Sequence, residues 1–201
     1  MAKYILDGQT FKTLVTNGCQ SLINDIDRIN ALNVFPVPDG DTGTNMSMTM
    51  MSGVRDIQNS DAISITEISK TLSRGLLMGA RGNSGVILSQ FFLGIYTGME
   101  NIKGSSATVN EFIDCLVSGY KVAYKAVMKP TEGPILTVAR VASEYATVAY
   151  NQGKDELQIF EYALEGAKKA LDETPEMLPV LKKAGVVDAG GRGFVIILEG
   201  M

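Results

Sequence analysis

Residues 10–32, TFKTLVTNGCQSLINDIDRINAL, carry the pattern that decides the fold of this chain. Apolar residues recur there at intervals of three and four, the spacing that places them on one face of an α-helix. The positions are Phe11, Leu14, Val15, Gly18, Cys19, Leu22, Ile23, Ile26, Ile29 and Leu32. The stretch therefore predicts an amphipathic helix from about Thr10 to Leu32.

The same periodicity continues along the chain, and capping signals mark several helix starts. Ser64 and Thr108 each precede a glutamate by three residues, which is typical of a capping box, and Asp155 is a further N-cap candidate. Helices are predicted over residues 44–59, 64–78, 84–96, 108–127, 134–150, 155–171 and 174–183. Pro134 is assigned to the first turn of its helix, and Thr174-Pro175 to the start of another.

These elements predict an all-α fold, an antiparallel bundle of eight helices with short connections. A further helix is expected near Phe194, although Gly193–Leu198 also fits an extended segment. The 201 residues suit a single domain. The last residues lie inside an apolar segment, so we expect residues 1–201 to be a piece of a longer chain.

Composition narrows the class of protein. The formal net charge is -4 and no basic cluster is dense, which argues against a nucleic-acid partner. The longest wholly apolar run, near Phe194–Leu198, is too short to span a bilayer. Two cysteines in apolar helical patterns and no signal segment indicate a cytoplasmic protein. With no histidine in the chain, Ser-His-Asp and Cys-His catalysis and histidine-ligated zinc are excluded.

A paired-acid turn follows the first helix. Val34–Pro38 contains two prolines, which make a stiff connector into Asp39-Gly40-Asp41-Thr42-Gly43-Thr44-Asn45. Two carboxylates across one glycine can converge on Mg²⁺, which prefers hard oxygen ligands. Helix-start amides, with the side chains of Thr42, Thr44 and Asn45, suit phosphate oxygens. A plain Asp/Gly turn capping a helix explains these residues equally well. An EF-hand loop does not, because its sixth-position Gly and twelfth-position Glu are missing.

A second small-residue loop, Gly79-Ala80-Arg81-Gly82-Asn83-Ser84-Gly85, lies between two apolar helices. Its amides can approach an anion at the start of the following helix, and Arg81 can reach a phosphate or solvent. It lacks the Gly-Lys-Ser/Thr ending of a Walker A motif. A helix C-cap followed by an N-cap is the alternative interpretation. Two weaker loops, residues 128–137 and 185–193, also stand at helix junctions. Since the loops of a bundle collect at its two ends, several of the four can line one rim.

Residues 33–46, NVFPVPDGDTGTNM, closely resemble the signature of the N-terminal domain of the fatty acid kinases. That domain is related to the nucleotide-binding L domain of dihydroxyacetone kinases. Residues 76–90, LLMGARGNSGVILSQ, are similar to the second motif of the family, and residues 126–130 and 185–188 match it as well. The resemblance covers essentially the whole chain in order.

The resemblance implies an eight-helix barrel that holds ATP at one end. It implies two Mg²⁺ ions on Asp39 and Asp41, which makes these the catalytic pair, with Asn33 as a further ligand candidate. The implied nucleotide-binding residues are Thr42, Gly43, Thr44, Asn45, Arg81, Gly82, Asn83, Ser84, Gly85, Thr137, Asp188 and Gly190. The kinase resembled phosphorylates a fatty-acid carboxylate, presented by a separate fatty-acid-binding protein, to give an acyl phosphate. A homodimer through further C-terminal domains is also implied.

Three departures from the family patterns bear on these assignments. Thr42 stands where dihydroxyacetone kinases have histidine, and Asn33 lies one residue out of register with their upstream aspartate. Both departures favour the fatty acid kinases. Pro134 replaces a threonine usual in that family, so no hydroxyl role is assigned there, and Thr137 remains the candidate.

Three hypotheses follow. The favoured one is an ATP-binding kinase domain that works with an acyl carrier, whose already ionised carboxylate can attack without a general base. The second is a dihydroxyacetone kinase-like phosphotransferase domain. The third is a non-catalytic nucleotide- or lipid-sensing domain whose apolar interior holds a ligand.

Overall fold

The structure, a computed structural model, describes residues 5–127 and 135–201. Across these ranges the chain forms ten α-helices and two three-residue strands, which confirms the all-α fold. In chain order the elements are β1 (Ile5–Asp7), α1 (Gly8–Asn24), α2 (Ile26–Ala31), α3 (Thr42–Gln58), α4 (Ile65–Gly79), α5 (Gly82–Met99), β2 (Ser106–Thr108), α6 (Val109–Ala126), α7 (Ile135–Asn151), α8 (Glu156–Met177), α9 (Pro179–Ala184) and α10 (Ala189–Gly200).

The long helices form a closed ring of neighbours. Each of α3 to α8 packs against the next along the chain, and α10 contacts both α7 and α1, while α1 contacts α3. The ring surrounds one continuous hydrophobic core, to which Phe11, Met50, Leu76 and Phe194 contribute. This arrangement is the antiparallel bundle expected from short connections.

The strands mark one end of the bundle. β1 and β2 pair antiparallel, with Leu6 opposite Ala107, and each strand leads directly into a helix. The amide of Ile65, the first residue of α4, donates to the carbonyl of Ser105 beside β2. The starts of α1, α4 and α6 therefore gather at this end, and the sequence pattern did not predict the strands.

The three predicted helix caps are confirmed. The side chains of Ser64, Thr108 and Asp155 each accept a hydrogen bond from the backbone amide three residues later. At Thr108 and Asp155 the reciprocal bond of a capping box is also present. Each cap satisfies amides that the first turn of a helix leaves without an intrahelical acceptor.

The predicted helix from Thr10 to Leu32 is wrong in one respect, because it is two helices. The backbone leaves the helical region at Asp25, with φ -114° and ψ 13°, and the Asp25 amide donates to Leu22 only three residues back. The apolar periodicity continues through the break, so the sequence pattern does not reveal it. The break lets α2 turn towards the start of α3, against which it packs.

One prediction near the C-terminal end is also wrong. Pro175 does not begin a helix but lies inside α8. Proline has no amide to donate to the carbonyl of Leu171, and the Thr174 hydroxyl donates to that carbonyl instead, at 2.7 Å. The further helix expected near Phe194 is confirmed as α10, which begins at Ala189, so the alternative of an extended Gly193–Leu198 does not hold. Its apolar residues are buried nearly all round, so an amphipathic pattern was not available.

Residues 128–134 lie outside the described ranges. Most of the third loop, together with the helix-start prediction for Pro134, therefore falls outside them, while α7 runs from Ile135 to Asn151. Within the described ranges, no helix is both long and apolar enough to cross a membrane.

Candidate nucleotide and metal site

The turn that carries the paired acids is held from behind by a buried asparagine. Asn33, only 7% exposed, donates from Nδ2 to Oδ1 of Asp39 at 2.6 Å. Gly40 adopts φ +69°, a left-handed conformation that a glycine adopts without steric cost. Asp39 itself is exposed. One carboxylate is therefore oriented by the chain while remaining open to a ligand.

The second carboxylate is not used in capping. Asp41 immediately precedes α3, yet its side chain makes no capping hydrogen bond, and its carbonyl accepts from the Asn45 amide at 2.8 Å. The Cα atoms of Asp39 and Asp41 are at most about 7 Å apart, because only Gly40 lies between them. The turn therefore carries two acidic residues, neither of them used as a helix cap, just before the start of α3.

Asn30 does the capping that Asp41 does not. Its Oδ1 accepts from the amides of Gly43, at 2.8 Å, and Thr44, at 3.2 Å, and its Nδ2 donates to the Thr44 hydroxyl at 3.0 Å. Asn30 and Asn33 thus fasten both sides of the paired-acid turn. Sequence reasoning missed Asn30, because no local motif links it to a residue fourteen positions away.

The start of α5 packs directly against α3. A Cβ on Gly82 would collide with Nδ2 of Asn45, and one on Gly85 would collide with Oγ1 of Thr49. The Arg81 amide donates to the Thr49 hydroxyl at 3.2 Å, and this hydroxyl donates to the Asn45 carbonyl at 2.7 Å. The glycines allow this approach, which brings the paired-acid turn and the second loop to the same end of the bundle.

Backbone donors differ between the two loops. The amides of Gly43, Thr44 and Asn45 already donate to acceptors within the chain. In the first loop, only side chains are therefore left as the expected donors to phosphate oxygens. At the start of α5, the amides of Gly82, Asn83 and Ser84 have no acceptor among the residues described. Free amides and the positive end of a helix dipole favour an anion at this second loop.

Two further helix starts complete this end. A Cβ on Gly190, in the first turn of α10, would stand 3.4 Å from Ser84 Oγ and 3.4 Å from Ile135 Cβ. The first turns of α3, α5, α7 and α10 therefore converge at one end of the bundle. These helices run antiparallel to α1, α4 and α6, which start near the strands. Four positive helix ends at one rim make it a favourable place for a polyanion.

Asp188 holds α10 to α7. Its carboxylate, 5% exposed, accepts from the Gly191 amide at 2.6 Å and from the Ile135 amide, while its own amide donates to the Thr174 hydroxyl at 3.0 Å. Burial raises the pKa of this carboxyl to about 6, and the two amide bonds offset part of that rise. What the geometry shows is a cap, and direct contact with a nucleotide stays a prediction.

The remaining predicted nucleotide-binding residues differ in their exposure to solvent. Arg81, Gly82 and Asn83 are exposed at the start of α5, and Ser84 is half-buried. Thr42 and Thr137 are buried in the first turns of α3 and α7. Direct contact of either threonine with a nucleotide stays a prediction.

The donor set fits Mg²⁺ shared with a ligand better than a metal held by protein alone. Within residues 5–127 and 135–201, no group of three or more His, Cys, Asp and Glu side chains could hold a metal ion. Mg²⁺ commonly takes one or two carboxylates and completes its shell with waters and phosphates. Asp39 and Asp41 meet that requirement, and Asn33 lies where it orients Asp39.

Comparison with known proteins identifies the class. A family model for the DAK2 domain matches residues 36–201, and the chain belongs to this family. It is 48% identical over 195 residues to an uncharacterized protein of Staphylococcus saprophyticus. It is 49% identical over 195 residues to protein YloV of Bacillus subtilis. Each alignment covers 97% of this chain and 35% of the relative, so the chain spans about a third of their length.

Solved structures share the fold. The dihydroxyacetone kinase from C. freundii in complex with AMP-PNP and Mg²⁺ aligns with TM-score 0.68 and 18% identity, over 98% of this chain and 34% of that one. The native form of dihydroxyacetone kinase of C. freundii aligns with TM-score 0.63 and 15% identity, over 100% of this chain and 36% of that one. At these identities the likeness concerns the fold.

Proposed function

We propose that this domain binds ATP with Mg²⁺ and transfers the γ-phosphate to a fatty-acid carboxylate presented by a fatty-acid-binding partner protein, giving an acyl phosphate. The observation that carries the proposal is the convergence of the paired-acid turn with the free amides of α5. Membership of the DAK2 family supports it. So does the shared fold with a dihydroxyacetone kinase whose structure contains AMP-PNP and Mg²⁺.

In this proposal, the second loop and side chains of α3 bind the phosphate groups of ATP. The amides of Gly82, Asn83 and Ser84 would donate to phosphate oxygens, with Asn45 beside them. Asp39 and Asp41 would hold two Mg²⁺ ions, which when bound neutralise phosphate charge during transfer. Asn33 and Asn30 keep the turn in place. The chain therefore contributes alignment and charge, the main requirements of phosphoryl transfer.

A carboxylate acceptor suits a chain that contains no histidine. The carboxyl group of a fatty acid is already ionised at neutral pH, so its oxygen can attack phosphorus without giving up a proton. The partner protein and any dimer-forming domains are proposals for the longer proteins, of which this chain spans about a third.

A second candidate acceptor is dihydroxyacetone. The observation that favours it is the fold shared with the C. freundii enzyme. A hydroxyl acceptor must lose a proton, so an aspartate or a partner residue would have to take it. The two candidates differ in product. An acyl phosphate reacts with hydroxylamine, whereas a phosphate ester does not.

The proposal is tested by isothermal titration calorimetry of AMP-PNP with and without Mg²⁺. We expect Asp39→Asn combined with Asp41→Asn to abolish the Mg²⁺-dependent part of the affinity while helicity is retained. Asp61→Asn removes an exposed carboxylate in the loop before α4 and should change nothing. Equal affinity for the wild type and the double variant would contradict the proposed site.

The acceptor is tested separately, with a longer protein that contains this domain. We expect hydroxylamine-trapped acyl phosphate with a fatty-acid-loaded carrier, and no ADP release with dihydroxyacetone. ADP release with dihydroxyacetone alone would show that the acceptor is the ketone and not a fatty acid.

A further inference from the structure

Thr174 lies inside α8, fully buried and directly before Pro175. Because a proline has no amide, the Leu171 carbonyl lacks the donor that position 175 supplies in a regular helix. The Thr174 hydroxyl donates to this carbonyl instead, at 2.7 Å. A hydroxyl oxygen that donates one hydrogen bond can still accept another. The Thr-Pro step therefore leaves a buried acceptor on the side of α8.

That acceptor holds the backbone of Asp188. The Asp188 amide donates to the Thr174 hydroxyl oxygen at 3.0 Å, although the two residues are fourteen positions apart. The Asp188 carboxylate in turn accepts from the amides of Gly191, at 2.6 Å, and Ile135. One hydroxyl therefore connects α8 to the residue that joins the first turns of α10 and α7.

The packing around these first turns leaves little room for adjustment. A Cβ on Gly191 would stand 2.9 Å from Cγ2 of Val138, on α7, and 3.2 Å from Cδ1 of Leu171, on α8. A Cβ on Gly190 would stand 3.4 Å from Oγ of Ser84, on α5. Close-packed interiors transmit strain from one element to the next. A shift at the start of α10 would therefore move Gly190 against Ser84.

Ser84 belongs to the loop that we propose binds phosphate. Its amide and those of Gly82 and Asn83 have no acceptor in the part of the chain that the structure describes. The strength of a hydrogen bond from such an amide depends on its direction, because the bond weakens steeply when it is bent. The position of α10 against α5 therefore bears on the affinity of this loop for phosphate.

We infer that Thr174 is a positioning residue for the nucleotide site. Through the Asp188 amide, its hydroxyl fixes the start of α10 against α5 and so orients the amides of Asn83 and Ser84 towards a phosphate. The role is indirect, because Thr174 is fully buried within α8. The inference rests on the proposed function for the identity of the ligand, and on the hydrogen bonds and packing described above for the connection from α8 to α5.

The test isolates the bond between Thr174 and Asp188. Thr174→Val keeps the shape of the side chain but leaves both the Leu171 carbonyl and the Asp188 amide without a partner. Pro175→Ala supplies an amide at position 175 for the Leu171 carbonyl and favours the helix. The experiment therefore compares Pro175→Ala with the double variant Pro175→Ala and Thr174→Val. These two proteins differ in the bond to Asp188.

Isothermal titration calorimetry of AMP-PNP with Mg²⁺ measures the affinity of each variant at a temperature at which it is folded. We expect the double variant to bind about tenfold more weakly than Pro175→Ala, the equivalent of about one hydrogen bond. Thr174→Ser keeps the hydroxyl and should keep the affinity of the wild type. Thr147→Val is the matched control and should also keep it, because it removes a similar hydroxyl bond, to the Ser143 carbonyl within α7 at 2.8 Å.

Amide spectra of the ¹⁵N-labelled protein without nucleotide test the connection independently. Relative to Pro175→Ala, the double variant should show shifted signals of Asn83 and Ser84, which are distant from it in sequence. Hydrogen exchange at the Gly191 amide should also be faster, because the cap on α10 is loosened. The control variant should change neither the signals nor the exchange.

Two results would each overturn the inference. One is that the signals of Asn83 and Ser84 are the same in the double variant as in Pro175→Ala. The other is that these two proteins bind AMP-PNP equally well. A wild type that does not bind AMP-PNP with Mg²⁺ would instead contradict the proposed function, and the nucleotide-free spectra would still decide whether Thr174 positions the start of α5.

Discussion

Replacing Asn30 by alanine tests whether the cap on α3 keeps the paired-acid turn in its binding geometry. The substitution removes the acceptor for the amides of Gly43 and Thr44 and the donor to the Thr44 hydroxyl. An N-cap contributes about 1 kcal/mol, and the third bond adds up to about 1 kcal/mol. We therefore expect the free energy of unfolding to fall by about 1–2 kcal/mol. For a chain of this size that lowers Tm by roughly 2–8 °C.

The assay pairs thermal unfolding with calorimetric titration of AMP-PNP and Mg²⁺. Asn30→Ala should weaken Mg²⁺-dependent affinity even at temperatures where the variant is fully folded, because the turn is released on one side. Asn30→Asp keeps the acceptor for both amides but not the Nδ2 donor, so it should restore the capping contribution of about 1 kcal/mol and, with it, the affinity. Asn59→Ala, at an exposed asparagine after α3, is the matched control. A loss of stability with unchanged affinity would refute the positioning role.

Two further predictions follow from the same end of the bundle. The raised pKa of Asp188, about 6 against 3.8, means that its contribution to stability is present below about pH 4 and is lost as pH rises through 6. Denaturant unfolding measures the free energy of unfolding of the wild type and of Asp188→Asn. The difference, wild type minus variant, should fall by up to roughly 3 kcal/mol between pH 4 and 7. A difference that does not change with pH would contradict the raised pKa of a buried carboxyl. Gly82→Ala should destabilise the protein by more than Gly185→Ala and weaken AMP-PNP binding, as measured by the same unfolding and titration. Both glycines have positive φ, but only at Gly82 does the added Cβ meet a neighbour, Asn45.

The sequence revealed the candidate site only where its residues form short local motifs. Asp39, Asp41 and the residue 79–85 loop stood out because acids and glycines cluster within a few positions. That clustering did not reveal which amides are free. The Asn30 side chain engages amides at the start of α3 from another helix, and those at the start of α5 have no acceptor in the described part of the chain.

Asp188 shows a different limit. The sequence placed Asp188 in a loop before the helix expected near Phe194. It did not reveal that Asp188 caps α10, that it is buried or that it accepts a hydrogen bond from the Ile135 amide. A carboxylate acquires a raised pKa from the atoms packed around it, and these come from α7 and α10 together.

The sequence by itself determined the helices, most of their starts and the chemistry of the two main loops. These depend on contacts between residues three or four positions apart, such as the caps at Ser64, Thr108 and Asp155. Only the tertiary structure decided that the first helix breaks at Asp25 and that Ser84 meets Gly190. Those features arise from packing between segments distant in sequence, where side-chain shape and buried hydrogen bonds, not periodicity, set the outcome.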